Sequence, residues 1–113
     1  QYGNDNVMMC ERGLRTFETA TRFTLDISAV PVVHKQSILP ICVDVSHPAG
    51  VRDLVPPLAH AAIAAGADAI MIEVHPDPIC ALCDGPQSLA CDDFASLMDD
   101  LRAIAEAVGR ELA

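Results

Sequence analysis

The sequence predicts an α/β fold in which parallel strands alternate with helices. Three observations predict it. Short continuous apolar runs recur about every 30 residues, the length of one β-α-β unit. Each run stops on polar or turn residues, and each is followed by apolar residues at helical spacing.

The first run is Val7-Met8-Met9-Cys10, ending at Glu11-Arg12-Gly13. The second, Ile41-Cys42-Val43, ends at Asp44-Val45-Ser46-His47, and the third, Ala69-Ile70-Met71-Ile72, ends at Glu73-Val74-His75-Pro76. Unbroken apolar runs suit strands buried on both faces of a parallel sheet. A helix is expected over 24–36, carrying Leu25, Ile27, Val30 and Val33, with Pro31 kinking or restarting it. The second expected helix runs over 54–65, with Pro56 and Pro57 in its first turn and Gly66 as its stop. The third runs over 92–108, with Phe94, Leu97, Met98, Leu101, Ile104, Ala105 and Val108 on one face. Asp92 and Asp93 fall in its first turn, where they complement the helix dipole.

At 113 residues the chain holds at most one domain, spanning 1–113. Three strands make either a small open sheet or part of a (β/α)8 barrel, which has eight strands in about 250 residues. The absence of an initiator Met and the turn-like opening favour the partial barrel.

Composition removes several function classes. With 51% hydrophobic residues the chain can build a core. A formal net charge of −9, with only 7 Lys and Arg, argues against nucleic acid or an acidic membrane surface as partner. No stretch reaches the roughly 18 uninterrupted apolar residues of a membrane span, and the start has no signal-peptide character. Five cysteines, an odd number with two inside apolar runs, suggest reduced thiols in a cytoplasmic protein. Cys80-x-x-Cys83 lacks a second pair and reads as two incidental loop thiols.

The C-terminal ends of the runs carry the chemistry, and in a parallel barrel that face holds the active site. His47 with Glu73, and Asp84 from the following loop, form a nitrogen/oxygen set suited to Mn, Fe, Co or Zn rather than Ca or Mg. Any one of them alone could instead cap a loop. Arg12 could clamp a phosphate or carboxylate with its planar fork, or pair with Glu11 or another nearby carboxylate. His34 and His60 fall on helices as surface residues, and His75 is a supporting residue of the site or a loop hydrogen-bond partner.

Four ordered motifs carry a family resemblance over nearly the whole chain. Cys10-Glu11-Arg12-Gly13-Leu14-Arg15-Thr16-Phe17-Glu18 resembles the ERG-x-RTFE segment of type Iβ 3-deoxy-7-phosphoheptulonate (DAHP) synthases. Asp44-Val45-Ser46-His47 is similar to their D-P-S-H, Glu73 to Pro78 to E-V-H-P-x-P, and Asp84 to Ser88 to D-G-P-Q-S. The resemblance implies the last three βα units of a (β/α)8 barrel enzyme of the shikimate pathway. That enzyme condenses phosphoenolpyruvate with erythrose 4-phosphate, is cytoplasmic, and is a homo-oligomer at full length. His47, Glu73 and Asp84 would be catalytic metal ligands, with Arg12 and Asp84 contacting substrate. The family's Cys ligand and its K-P-R-T motif lie upstream, so the isolated chain is expected to be inactive. Val45 and Cys83-Asp84-Gly85-Pro86 are similar instead to the sibling 3-deoxy-D-manno-octulosonate 8-phosphate (KDO8P) synthases, which use arabinose 5-phosphate. Phe23 stands where the Iβ family has Asn. Arg15 to Glu18 with Gln87-Ser88 favour DAHP; the alternatives are the sibling activity and a non-catalytic truncated barrel.

Overall fold

A computed structural model describes Gly3, Asn4 and residues 6–113. Three strands form one parallel sheet in chain order: β1 (Met9–Glu11), β2 (Ile41–Asp44) and β3 (Ala69–Met71). Cys10 is in register with Cys42, and Cys42 with Ala69. Four α-helices follow the strands: α1 (Ala29–Gln36), α2 (Ser46–Ala49), α3 (Val55–Ala64) and α4 (Cys91–Ala107).

Only β2 has a neighbour on each side, and all four of its residues are buried. Period-2 alternation turns Ile41 and Val43 toward the helices and Cys42 and Asp44 to the other face. The helix-side core joins Ile41 and Val43 to Val30 of α1, to Val55, Ala59 and Ile63 of α3, and to Leu97 and Leu101 of α4. On the opposite face, burial first, then Cys10 and Asp44, push the Cys42 thiol up to about 11, so it stays protonated. All five cysteines are free.

Helices α3 and α4 lie within a residue of their expected bounds. Pro56 and Pro57 sit in the first turn of α3, which follows a 3-10 turn at Arg52–Leu54. Gly66, at φ +94, ends that helix. Val108 departs from expectation: it caps α4 and is exposed rather than buried.

Two larger corrections concern the first unit. The strand is Met9–Glu11 rather than 7–10, and it is largely exposed instead of buried on both faces, because it pairs on one side only. The following helix starts at Ala29, not Thr24. Thr24 is taken by an antiparallel bridge to Leu14, and the Asp26 carboxylate accepts the Ser28 N–H and hydroxyl, holding a turn there. Pro31 therefore falls in the first turn of α1, where it needs no kink. Beyond β3, Val74 and Leu89 form a parallel bridge that no apolar run marks.

Among the described residues, no helix is long and apolar enough to cross a membrane.

Candidate metal centre

Asp44, the last residue of β2, organises the site although it is not a ligand candidate. It is fully buried. Its Oδ1 accepts the backbone N–H groups of Ser46 and His47, each at 3.1 Å, which fixes the first turn of α2. Its Oδ2 accepts Arg12 Nη1 at 2.5 Å and lies 2.8 Å from His47 Nδ1. That imidazole contact is out of line for a hydrogen bond, and Nδ1 is a buried atom without a hydrogen-bond partner. The carboxylate thus steadies the ring electrostatically and leaves Nε2 directed elsewhere.

Nε2 faces two carboxylates, at 3.6 Å from Glu73 Oε1 and 3.9 Å from Asp84 Oδ1. One ligand atom from each of His47, Glu73 and Asp84 falls within 4.8 Å of the others. These separations are too long for hydrogen bonds. They are close to the spacing of donors sharing one ion, since ligands about 2.0–2.2 Å from a metal lie roughly 3.0–3.6 Å apart. One imidazole nitrogen and two carboxylate oxygens, all half-buried, make a chemically fitting set for a divalent transition ion.

Each carboxylate is held by its backbone. The buried Ser46 hydroxyl accepts the Glu73 N–H at 2.9 Å, and the Glu73 carbonyl accepts the Leu89 N–H at 2.9 Å. Asp84 has φ 55, making it the one non-glycine residue in the left-handed region among the described residues. Such a conformation costs of order 1–3 kcal/mol and persists where surrounding contacts enforce it. Here the Asp84 carbonyl accepts the Ser88 N–H at 3.0 Å and its hydroxyl at 2.8 Å. Gln87 Nε2 donates to Asp84 Oδ1 at 2.5 Å, and Arg52 holds the same turn by donating to the Ser88 and Gly85 carbonyls.

The structure brings together the three residues read as ligands, and places Arg12 beside them through Asp44. The alternative partner for Arg12, a neighbouring carboxylate, is therefore real, and it engages Nη1 while the side chain stays half exposed. His75 makes a loop hydrogen bond, its Nδ1 accepting the Asp77 N–H at 3.0 Å. His34 lies on α1 and pairs with Asp68; His60 lies on α3, 3.7 Å from Asp100. Cys80 and Cys83 are exposed. Sequence reading gave no role to Asp44, Ser46, Arg22, Arg52 or Gln87. Asp44 carried a signal: an Asp two and three residues before backbone N–H groups that open a helix is an Asx turn.

A parallel α/β segment that gathers one imidazole and two carboxylates beyond its strands defines the class: an α/β segment with a candidate metal centre. The chain belongs to the DAHP synthetase I family, whose model matches residues 1–108. It is 57% identical over 107 residues to the phospho-2-dehydro-3-deoxyheptonate aldolase of Thermotoga maritima, covering 95% of this chain and 32% of that protein. The 2-dehydro-3-deoxyphosphooctonate aldolase of Desulfosudis oleivorans is 38% identical over 116 residues, covering 93% of this chain and 41% of the relative. The solved structure of a truncated 3-deoxy-D-arabino-heptulosonate 7-phosphate synthase from Thermotoga maritima superposes with a TM-score of 0.96 at 55% identity, covering 98% of this chain and 42% of that one. The chain therefore spans from 32% to 42% of the length of these relatives.

Proposed function

We propose that residues 1–113 are one partial domain, the last three βα units of a (β/α)8 barrel, and that the complete protein is a DAHP synthase. The observation that carries this reading is the juxtaposition of His47, Glu73 and Asp84, which bring one ligand atom each within 4.8 Å of the others. The 57% identity to the Thermotoga aldolase supports the choice of reaction. The complete enzyme would join phosphoenolpyruvate to erythrose 4-phosphate, the entry step to aromatic amino acids. Cytoplasmic location and homo-oligomeric assembly belong to the same reading.

His47, Glu73 and Asp84 would hold a divalent ion of the Mn, Fe, Co or Zn type. When bound, the ion supplies Lewis-acid polarisation of an aldehyde oxygen. The protein's own residues do the rest. Asp44 orients both Arg12 and His47, so the anion-binding arm and the ligand share one buried carboxylate. Arg12, tied through Nη1, presents its remaining guanidinium edge to the phosphate of phosphoenolpyruvate and stabilises that charge as inorganic phosphate leaves. The Asp84 turn, locked by Gln87, Ser88 and Arg52, fixes a ligand that also borders the substrate.

The second reading is the octulosonate sibling, favoured by Val45 and by the 38% identity to the Desulfosudis enzyme. Phosphate release by the full-length protein, with phosphoenolpyruvate and each aldose phosphate in turn, separates the two. We expect kcat/KM at least about 10-fold higher with erythrose 4-phosphate, a difference of about 1.4 kcal/mol. A preference for arabinose 5-phosphate would replace the first reading with the second.

A further inference from the structure

Arg22 lies at the edge of the ligand cluster, its Nη1 3.9 Å from Asp84 Oδ1, the same oxygen that faces His47. Its position is built. Phe23 donates its N–H to the Pro48 carbonyl of α2 at 3.0 Å, and Thr24 and Leu14 exchange backbone hydrogen bonds at 3.0 and 2.8 Å. Two glycines admit the segment. A Cβ on Gly13 would meet Phe23 Cβ at 2.8 Å, and one on Gly50 would meet Arg22 Cβ at 2.8 Å; both have positive φ. The Phe23 ring is flanked by two guanidinium groups, Arg15 at 5.3 Å and Arg22 at 5.5 Å from its centroid. Stacking on a ring holds a planar guanidinium without using its N–H donors. The Arg22 side chain is half exposed, which leaves those donors accessible to solvent beside Asp84.

The charges near the cluster point to an anion. Arg12 and Asp44 neutralise each other, leaving Glu73 and Asp84 against Arg22. With the divalent ion read above in place, and His47 neutral as a ligand requires, the cluster carries net positive charge, and Arg22 is the residue that supplies the excess. We propose that Arg22, stacked on Phe23, is an anion-binding residue of the metal centre that receives a phosphate-type oxyanion beside the bound ion. This rests on the metal reading of the preceding section.

The test uses full-length protein and inorganic phosphate. Mn2+ is titrated first by calorimetry, and phosphate is then titrated into the Mn2+-loaded protein. Arg22→Gln should weaken phosphate binding about 10–100-fold, the range of a charge-assisted hydrogen bond, while Mn2+ affinity holds or tightens as a repelling cation is lost. Arg22→Lys should recover part of the loss, and Phe23→Leu should cost about 2–5-fold through the lost stacking. In turnover, the KM that rises, for phosphoenolpyruvate or for the aldose phosphate, identifies which phosphate Arg22 receives. Phosphate affinity and both KM values unchanged in Arg22→Gln would overturn the assignment. Parallel loss of Mn2+ and phosphate affinity would also overturn it, making Arg22 a brace for Asp84. A wild-type protein that takes up no Mn2+ would instead sink the metal reading beneath it.

Discussion

Asp44 has four jobs on two oxygens: it seats two backbone N–H groups of α2, pairs with Arg12 and sits against His47. It does so with no solvent exposure, which makes the charge expensive to leave unbalanced. Asp44→Asn keeps an oxygen for α2 but removes the charge that faces Arg12 and His47. We expect it to lower stability by about 1–3 kcal/mol in urea unfolding, and to weaken metal binding by roughly 10–100-fold, as loss of a ligand-orienting group does. An unchanged urea midpoint and metal affinity would mean that the ring and the guanidinium are held some other way. The candidate ligand residues themselves were legible, His47 and Glu73 just past two apolar runs and Asp84 in the loop that follows. The Arg12–Asp44 pair was not, because the two residues are 32 positions apart and meet only once β1 and β2 align.

At the level of elements, the long amphipathic helix was the plainest to read. Leu97, Leu101 and Ala105 of α4 are buried at four-residue spacing. Leu101 is fully buried in the core shared with α3 and β2. Its replacement by Ala should cost about 2–5 kcal/mol in denaturant unfolding. The start of α1 was harder, since Leu25 and Ile27 fit a helical pattern while Asp26 and the Leu14–Thr24 bridge hold the chain in a turn. A local side-chain hydrogen bond competed with the helix and won.

Asp68, just before β3, ties α1, β2 and the C-terminal segment together. Burial works against its ionisation, yet hydrogen bonds from Arg110, His34 and the Ile41 N–H outweigh it and hold the carboxyl well below the usual carboxylate range. Because the folded carboxyl releases its proton more readily than the unfolded one, the stabilisation is present above the unfolded value, near pH 4. It is lost as pH falls further toward the depressed folded value. Wild-type protein should therefore lose more stability than Asp68→Asn between pH 6 and pH 3, measured by urea midpoints. Equal losses would mean that the network contributes nothing to folding.

For the whole molecule, the sheet is the revealing part. Val7, Met8 and Met9 around β1 are 40–51% exposed, and Met71 of β3 is 40% exposed. The radius of gyration is 14.6 Å, against about 13 Å expected for a compact chain of this length. Open apolar strand edges invite further pairing, and a barrel wall closed by more strands is one way to cover them. The sequence predicted strands buried on both faces, and β2 alone is so; the apolar composition was readable, but the number of neighbours was not. The isolated 113-residue chain should thus self-associate in size-exclusion chromatography and show no synthase turnover. A monodisperse, active fragment would contradict the partial-barrel reading.

Whether His47, Glu73 and Asp84 hold one catalytic metal ion is tested most directly by Co2+ titration of the full-length, metal-stripped protein. Visible d–d absorption should saturate at one ion per chain, with His47→Ala, Glu73→Gln and Asp84→Asn each binding more than about 10–100-fold more weakly, beyond the loss from a supporting residue. Wild-type protein with no saturable Co2+ binding, or the three variants binding as tightly as wild type, would contradict that assignment.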